Sequence, residues 1–510
     1  MKKSLSLLLA LALLLAAACI GHADERYVYT SAQYNVGPID ENPPVVQRIN
    51  EKYGVEFQMV YIEDSSRSQQ ISLLASSNEL PDIIYMPSAI DAQMLYDQGM
   101  IGTWTEEFFR EHAPRISAMI DTYAPSGWSA VKFDGKMYTV PGIRYVNTIP
   151  TCIAWNADWL AKLGVTEIPT SLEEMEKLLY RFAKEDPDGN GVDDTYALSS
   201  STLQMIYGAY GFERSAWLDD GSGNLVYGDV TPAAKDALAL LAKWYKDGVL
   251  DPEFITGENQ GGYWALPHSF INQRIGVSAN GSFYHWTDLT ALGINTRNQI
   301  PTAIAESNKP FQVTYSAPPV GPNGDSGMTR TPALVTRNIF KAELVEDEAK
   351  FGRLLEIIDD MMMDVENCKL AACGIEGVSY NMDKIGDMEV IVYTDDYAQA
   401  SARGAIGADG WFNFNNFCVE YQQLVNAQNT LFANTYMKDW LDKGIETCIA
   451  QALPSASLYN TECEKILSEG YIGIITGEKP VDYFDEMVKA WYAAGGQTLT
   501  EEANAIYKAK

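Results

Sequence analysis

The sequence is poor in the motifs that carry most enzymatic chemistry. It has four histidines in 510 residues, and none stands in a metal-binding spacing such as HExxH. The nucleophile motif GxSxG, the P-loop and the dinucleotide motif GxGxxG are also absent from the sequence. Among 68 acidic residues, no pair is singled out for acid–base work. The sequence therefore offers no motif for catalysis or for a nucleotide cofactor.

Positive charge is scarce. The chain has 37 Lys and Arg against 68 Asp and Glu, which gives a formal net charge of −31. Nucleic acid is excluded as a partner by this balance, because phosphate binding needs a basic face. The same balance disfavours anionic membrane surfaces and, more weakly, polyanionic ligands. It is also typical of a secreted protein that stays soluble through its charge.

Cysteine pairs of the CxxC type are missing. Seven cysteines are spread along the chain without a histidine partner, which argues against a zinc site. We expect mostly buried free thiols in a chain of this size, and one or two disulfides remain an alternative. The seven are Cys19, Cys152, Cys368, Cys373, Cys418, Cys448 and Cys463.

Long apolar runs are absent after the N-terminus. Leu5–Ala18 follows two lysines and is too short to span a membrane comfortably, so it is typical of a signal peptide. Two processing routes are consistent with the sequence: cleavage that removes 1–23, or removal of 1–18 with lipidation of Cys19. In both cases we expect an exported, periplasmic or cell-surface protein with a soluble mature chain.

The residues that are present favour an α/β fold with two cores. With 510 residues, of which 46% are hydrophobic, the chain is long enough for two sizeable domains. The order β-α-β-α-β near the N-terminus predicts a parallel sheet flanked by helices. Its elements are a strand at Arg26–Gln33, a helix at Val45–Gly54, a strand at Val55–Glu63, a helix at Ser66–Ser77 and a strand at Pro81–Met86.

Further elements indicate where the chain passes between domains. A Pro-Gly break predicts a crossing near 142–147, and the Pro/Gly-rich Tyr315–Gly327 predicts the return. Thr170–Glu185 is an amphipathic helix, for which Thr170 and Glu173 fit a capping box. The C-terminal third is mostly helical, with a loop predicted at Ala494–Gln497.

The stretch EDPDGNGVDDTYAL, from Glu185 to Leu198, resembles an EF-hand calcium loop without its closing glutamate. Calcium prefers such a series of oxygen ligands at alternate positions, but Ala197 cannot supply the last one. The alternative is a solvated polar turn, since Asp, Asn and Gly favour turns. We predict a structural calcium site with Asp186, Asp188, Asn190, the Val192 carbonyl, Asp194 and either Thr195 or water.

Several segments together resemble one family. The chain is similar to extracellular solute-binding proteins of ABC importers, family 1, in the branch associated with oligosaccharide uptake. The resemblance rests on Tyr53–Met86, DGKMYTVPG, WNADWLAKLG, the calcium-like loop, Asp219–Phe254, GIEGVSY and Ile475–Gln497. It implies two α/β lobes, each with a mostly parallel sheet, and a ligand cleft between them that closes by a hinge. We expect an N-terminal lobe of 24–144 plus 318–385, and a C-terminal lobe of 145–317 plus 386–510 with a helical extension.

Aromatic residues in polar loops suggest the ligand. Sugar rings have apolar C–H faces, so a sugar site combines flat aromatic platforms with amides and carboxylates. We therefore predict binding of a neutral oligosaccharide, and the family resemblance implies delivery of it to a membrane permease. We also expect a monomeric state and no enzymatic activity. The predicted ligand-binding residues are Tyr34, Asn35, Arg144, Trp217, Tyr284, Trp286, Glu376, Tyr380 and Trp411. The alternatives are a peptide or other solute, a sensor or adhesin, and a secreted carbohydrate-active enzyme.

Overall fold

The computed structural model of the chain describes residues 26–33, 37–63, 66–85, 89–123, 127–143, 149–256, 266–330, 334–412, 414, 418–449 and 451–508. No helix among these residues combines the length and the apolar character needed to cross a membrane.

The strands are short and fall into several sheets. In chain order they are β1 Val28–Ala32, β2 Glu56–Met59, β3 Ile83–Tyr85, β4 Lys132–Phe133, β5 Lys136–Met137, β6 Val140–Ile143, β7 Ile153–Asn156, β8 Trp217–Asp219, β9 Leu225–Tyr227, β10 Val277–Ser278, β11 Val313–Ser316, β12 Met328–Thr329, β13 Leu334–Phe340, β14 Tyr380–Ile385, β15 Met388–Tyr393 and β16 Gly444–Ile445.

Helices cover both lobes and dominate the C-terminal third. In chain order they are α1 Pro44–Tyr53, α2 Arg67–Ser76, α3 Ala89–Asp97, α4 Glu106–His112, α5 Pro114–Tyr123, α6 Gly127–Ala130, α7 Ala157–Lys162, α8 Leu172–Lys184, α9 Leu203–Ala209, α10 Pro232–Lys246, α11 His268–Ile271, α12 Gln299–Ala305, α13 Ala342–Glu346, α14 Glu348–Met363, α15 Val365–Cys373, α16 Ala400–Ala405, α17 Val419–Val425, α18 Ala427–Tyr436, α19 Ala456–Thr476, α20 Tyr483–Trp491 and α21 Gln497–Lys508.

The first lobe is built on a five-stranded sheet in the order β2-β1-β3-β13-β6. Strands β1, β2 and β3 are parallel, as the β-α-β-α-β pattern predicted, whereas β13 is antiparallel to both of its neighbours. Parallel strands bring their carboxyl ends to one edge of the sheet, where α/β proteins commonly bind ligands. Among the described residues, Gln33 after β1 and Tyr85 at the end of β3 lie at that edge.

The second lobe differs from the expected mostly parallel sheet. Its three-stranded sheet has the order β10-β7-β11, and β7 is antiparallel to both partners. Isolated parallel bridges join Tyr196 to Ile275 and Leu198 to Leu250 beside it. The sheet is buried because α8 and α10 supply apolar faces, including Leu179, to the same hydrophobic core.

The hydrophobic cores divide the chain differently from the predicted boundaries. Residues from Tyr397 to Phe414 pack into the core of the first lobe, although 386–510 was assigned to the second lobe. Met328, in turn, lies in the core of the second lobe, although 318–385 was assigned to the first. The cores place the described residues of 26–143 and 334–425 in the first lobe, and the described residues of 149–330 and 427–508 in the second.

Candidate functional site

A pocket of about 270 Å³ lies where the two lobes meet. Ile90, near the start of α3, lines it from the first lobe, and β8, β9, α19 and α20 line it from the second. Ala452 lines it too and packs against the core of the first lobe, whereas its neighbour Leu453 is buried in the core of the second. The pocket therefore touches both lobes, as a site closed by hinge motion requires.

Three aromatic rings form one wall of this interlobe pocket. Trp217 and Tyr227 are register partners in the β8–β9 pair, with ring centroids 4.9 Å apart. The Tyr227 ring stacks on Trp491 of α20 at 5.3 Å and 12°. Tyr227 is half-buried, whereas Trp217 is 7% exposed and Trp491 is buried. The wall is held in place because Trp217 donates its backbone N–H to Thr447 Oγ1 at 3.0 Å.

The polar lining of the pocket consists of hydroxyls, amides and one carboxylate. These groups belong to Ser215, Thr447, Gln451, Asn460 and Glu464, and Glu464 is exposed. Among the described residues, no Lys, Arg or His lines the pocket. The site is therefore equipped to hydrogen-bond a neutral polar ligand, and it lacks the cation that would pair with a carboxylate or phosphate.

A buried ion pair supports the Ser215 side of the pocket. Arg214 Nε donates to Asp229 Oδ1 at 2.7 Å, and the guanidinium lies 4.3 Å from the ring centroid of Tyr471. Asp229 is fully buried and also accepts the backbone N–H of Ser215. Burial, reinforced by the Asp229 carboxylate, raises the pKa of the neighbouring Glu213 to about 7, against the opposing effect of a hydrogen bond with Thr329.

A second group of polar residues lies at the carboxyl edge of the first-lobe sheet. Arg67, at the start of α2, donates to the backbone carbonyl of Gln33 at 3.0 Å. The same guanidinium lies over the Tyr85 ring, 5.3 Å from its centroid. Gln33 follows β1 and is fully buried, and neither polar atom of its side chain has a hydrogen-bond partner in the described structure. Buried amides of this kind are expensive to leave unsatisfied.

Two of the predicted ligand-binding tryptophans are structural. Trp286 is fully buried in a second-lobe core and donates its indole N–H to the Asn280 carbonyl at 2.9 Å. Trp411 is fully buried in the first-lobe core and donates to the Gly404 carbonyl at 2.9 Å. Neither ring lines the interlobe pocket, so ligand binding by Trp286 and Trp411 stays a prediction.

The other predicted residues are scattered. Tyr380 is buried beside a group of cysteines, and its role as a ligand platform stays a prediction. Glu376 is exposed in the turn before Tyr380, and half-buried Tyr284 packs at the edge of a second-lobe core. None of these three lines the interlobe pocket, whereas Trp217 does. Tyr34, Asn35, Arg144 and Cys19 lie outside the described residues.

Sequence reasoning missed Tyr227, Trp491, Gln451 and Asn460 as pocket residues. One signal was available: the turn-forming DDGSGN, 219–224, separates two short apolar segments, as in a β-hairpin. Pairing across that turn would have placed Tyr227 beside Trp217. Trp491 and Asn460 lie on helices distant in sequence, and no local pattern connects them to the site.

The calcium-like loop is a compact network of hydrogen bonds after α8. Asp186 accepts backbone N–H groups from Gly189, Asn190 and Gly191 at 3.0, 3.1 and 3.1 Å. The Asn190 amide nitrogen donates to Asp188 Oδ2 at 2.9 Å and to Asp194 Oδ1 at 3.1 Å. Although desolvation opposes it, hydrogen bonding by Gly191 and Gly189 lowers the pKa of Asp186.

The side chains of Asp188, Asn190 and Asp194 thus converge on one point. As they are placed, no three His, Cys, Asp or Glu side chains of the described chain come close enough together to hold a metal. Asn190 turns its amide nitrogen towards the carboxylates, where calcium would need the oxygen. The donor set fits a hard cation, provided that this amide rotates.

Thr195 has another role than the predicted one. It is buried, and its hydroxyl donates to the Phe182 carbonyl in the last turn of α8 at 3.0 Å. This bond satisfies a helix-terminal carbonyl and ties the loop's exit to the helix. The prediction that the Thr195 side chain completes a metal shell is therefore not supported by its position.

The fold and the interlobe pocket define a two-lobed binding protein of the periplasmic type. Residues 45–333 match the family model described as bacterial extracellular solute-binding protein. The chain belongs to this family, which confirms the resemblance and places the protein outside the cytoplasm.

Individual relatives are distant but align over almost the full length. Lipoprotein LipO of Bacillus subtilis (strain 168) is 24% identical over 502 residues, which are 92% of this chain and 90% of LipO. A crystal structure of the alginate-binding protein AlgQ2 without calcium ion has a TM-score of 0.70 at 17% identity, covering 95% of this chain and 99% of that one. The Streptococcus pneumoniae substrate-binding protein FusA in complex with kestose has a TM-score of 0.67 at 16% identity, with the same coverage.

Proposed function

We propose that this chain is the substrate-binding protein of an ABC importer, and that it binds a neutral oligosaccharide between its lobes and delivers it to a membrane permease. The observation that carries this proposal is the interlobe pocket, whose wall of Trp217, Tyr227 and Trp491 faces amides and hydroxyls. Membership of a solute-binding family supports the transport role and binding without catalysis.

The pocket chemistry suits a sugar better than the alternatives. Aromatic rings cover the C–H face of a pyranose or furanose, while Gln451 and Asn460 can exchange hydrogen bonds with hydroxyls. A peptide would bring charged termini, and the described lining of the pocket contains no Lys, Arg or His to pair with a terminal carboxylate.

Neutral and acidic glycans can be distinguished by charge. AlgQ2 binds alginate, which carries carboxylates, and FusA binds the uncharged kestose. The absence of a cationic side chain from the described pocket lining favours an uncharged glycan here. The formal net charge of −31 acts in the same direction, because it repels polyanions at long range.

The loop after α8 is proposed to bind calcium in a structural role. Asp186, Asp188, Asn190, Asp194 and the Val192 carbonyl would hold the ion, with water completing the shell. Bound calcium would neutralise the carboxylates and fix the end of α8 against the chain that follows. Support also comes from the alginate-binding protein AlgQ2, which has the same fold and whose crystal structure is specified as being without calcium ion.

Anchoring to the membrane is proposed through Cys19, which would be lipidated after removal of 1–18. The support is the sequence around Cys19 and the similarity to a lipoprotein of Bacillus subtilis. Cleavage after residue 23 remains the alternative. We propose a monomer in either form.

A panel of neutral, uronate-containing and peptide ligands tests the function by thermal shift and calorimetry. We expect one class of neutral oligosaccharide to raise the melting temperature, because a ligand that binds only the folded state stabilises it. Trp217→Ala should weaken that binding by at least about tenfold, since it removes a ring from the pocket wall.

Trp440→Ala is the matched control, because Trp440 is also 7% exposed but belongs to a core outside the pocket. It should lower stability and leave the affinity unchanged. If only uronate-containing glycans bind, the ligand is an acidic glycan and the proposal of a neutral one is wrong. If only peptides bind, the result favours a peptide importer. Conversion of the glycan to shorter products would overturn the binding-protein proposal.

A further inference from the structure

Ser215, which lines the interlobe pocket, has a backbone conformation that serine seldom adopts. Its φ is 57°, in the left-handed region. Six described residues other than glycine have a positive φ, and four of them are Asn or Asp, which tolerate this region because their short polar side chains hydrogen-bond locally. The other two are Ser215 and Gln273, whose φ is 58°. At both positions glycine would fit the backbone with less strain than the residue present.

Gln273 has a local reason for its side chain. It follows α11, and its backbone N–H donates to the Phe270 carbonyl at 2.9 Å. Its side-chain amide donates to the Lys309 carbonyl at 2.7 Å, which ties two segments of the second lobe together. Gln273 does not belong to the described lining of the interlobe pocket. Its strained conformation therefore accompanies a structural contact.

The turn that contains Ser215 is held through its backbone. The Ser215 N–H donates to the carboxylate of Asp229, which is fully buried and also accepts from Arg214 Nε at 2.7 Å. The next residue, Ala216, accepts the N–H of Gly228 at 2.8 Å through its carbonyl. Surroundings of this kind can keep a residue in a strained conformation. None of these bonds uses the Ser215 hydroxyl, so the side chain is not what holds the turn.

The Ser215 side chain lies beside the aromatic wall of the pocket. Ser215 is exposed, and it lines the pocket together with Trp217, two residues further along the chain, and Tyr227. Burial, reinforced by the Asp229 carboxylate, raises the pKa of Tyr227, and a hydrogen bond with the Ser215 side chain acts against this rise. A hydroxyl has one donor and two acceptor sites, so Ser215 can bind Tyr227 and a ligand hydroxyl at the same time.

We propose that Ser215 is a specificity-determining residue of the interlobe pocket, and that its hydroxyl binds a hydroxyl of the glycan whose ring lies on the aromatic wall. This inference rests on the proposed function and adds one named contact to it. The C–H face of a sugar ring packs on Trp217 and Tyr227, while its hydroxyls project from the ring edge. A glycan without the matching hydroxyl would leave that contact unmade, so the pocket would discriminate against it.

The strained turn prepares this contact before the ligand arrives. Because the backbone of Ser215 is already fixed in the free protein, binding does not have to order it, and less conformational entropy is lost on association. The folded protein instead carries a serine in the left-handed region. Replacement by glycine should therefore have opposite effects, since it relieves strain in the folded state and removes the contact with the ligand.

Ser215→Gly and Ser215→Ala in the exported full-length protein test the proposal. Calorimetric titration with kestose, maltotriose, cellotriose and raffinose gives the dissociation constants, and thermal unfolding without ligand gives the stability. We expect both variants to bind the tightest of these trisaccharides roughly three- to tenfold more weakly, as the loss of one hydrogen bond predicts. The melting temperature of Ser215→Gly should be at least that of the unmodified chain, because glycine adopts this φ without strain.

Gln273→Gly is the matched control, because it relieves the same φ in the same lobe outside the pocket lining. It should keep the affinity of the unmodified chain. Equal dissociation constants for the unmodified chain and Ser215→Gly would overturn the Ser215 contact and leave the proposed function standing. A Ser215→Gly variant that loses both stability and affinity would show that the side chain is structural, which also contradicts the proposal. If none of the four trisaccharides binds the unmodified chain, the inference fails together with the proposed neutral ligand.

Discussion

At the scale of single residues, Glu213 is the clearest case of a side chain whose charge conflicts with its surroundings. One of its carboxyl oxygens, Oε2, is buried and has no hydrogen-bond partner in the described structure. The neighbouring Arg214 guanidinium is already hydrogen-bonded to the carboxylate of Asp229. Burial therefore raises the pKa of Glu213 to about 7, so the folded protein keeps this carboxyl protonated at mildly acidic pH, where an ordinary glutamate is ionised.

The stability of the protein should consequently fall as pH rises through this range. Between pH 4.5, the ordinary pKa of a glutamate, and about 7, the folded state binds more protons at Glu213 than the unfolded state does. The free energy of unfolding then decreases with pH in this window, by at most about 3 kcal/mol from this residue. Glu213→Gln mimics the protonated form, so it should flatten this part of the profile and stabilise the protein at pH 8.

Denaturant unfolding at several pH values measures this effect. Glu173→Gln is the control, because the Glu173 side chain is 82% exposed and its charge is compatible with solvent. The control should follow the unmodified protein throughout. A Glu213→Gln variant that is less stable than the unmodified protein at pH 8 would show that the carboxylate is needed there in its charged form.

Single residues of the site were the hardest to predict from sequence. Trp217, Trp286 and Trp411 all occur among polar neighbours, yet only Trp217 lines the interlobe pocket. The other two are enclosed by cores assembled from segments far away in the chain. A local pattern reports which rings are near polar residues, but burial is decided by tertiary packing that no local pattern contains.

At the scale of elements, sequence predicted the β-α-β-α-β start of the first lobe well, because short apolar strands alternate there with helices such as α1, which buries Val45, Val46 and Ile49. Two predicted details elsewhere in the chain differ from the structure, and each difference has a local cause. The helix α8 is capped by Ser171, whose hydroxyl accepts from Glu174 N at 3.3 Å, one residue after the predicted Thr170 cap. The predicted loop at Ala494–Gln497 is a kink within a helical run, since Gly495 has a φ of 127° while its neighbours stay helical.

The loop of Asp186 to Asp194 supports a prediction at the element scale. Addition of calcium to chelator-treated protein should raise the melting temperature, because an ion that binds only the folded loop adds its binding free energy to folding. Asp188→Asn should reduce this increase, since it removes one of the carboxylates that converge on Asn190. Differential scanning calorimetry with and without calcium measures both effects.

Asp482→Asn is the control for that experiment. The Asp482 side chain is 94% exposed and lies just before α20, outside the loop of Asp186 to Asp194. The calcium response of this control should equal that of the unmodified protein. A melting temperature that is the same with chelator and with excess calcium would rule out the metal site and leave a polar turn.

At the scale of the whole molecule, the described residues Pro150 and Arg330, which flank two of the crossings between the lobes, lie side by side in the second lobe. Strand β12 pairs with β16, and Arg330 bridges to Pro150. The Arg330 guanidinium also binds Glu446 Oε2, with Nε at 2.9 Å. The partition of the chain was predicted imperfectly because 397–414 returns to the first-lobe core after the β14–β15 hairpin, and sequence order carries no sign of that return.

The position of the pocket leads to a prediction about the overall shape. Its lining comes from Ile90 in the first lobe and from the wall of Trp217, Tyr227 and Trp491 in the second, so a bound oligosaccharide would contact both lobes. A ligand that contacts both lobes only when they approach must shift the population towards the closed form.

Small-angle X-ray scattering should therefore show a smaller radius of gyration at a saturating concentration of the oligosaccharide identified by thermal shift. Trp217→Ala, at the same ligand concentration and partial occupancy, should show a smaller decrease, and a glycan that does not bind should show none. Saturated binding with an unchanged radius of gyration would mean that the pocket is already formed in the free protein and that ligand capture does not depend on hinge closure.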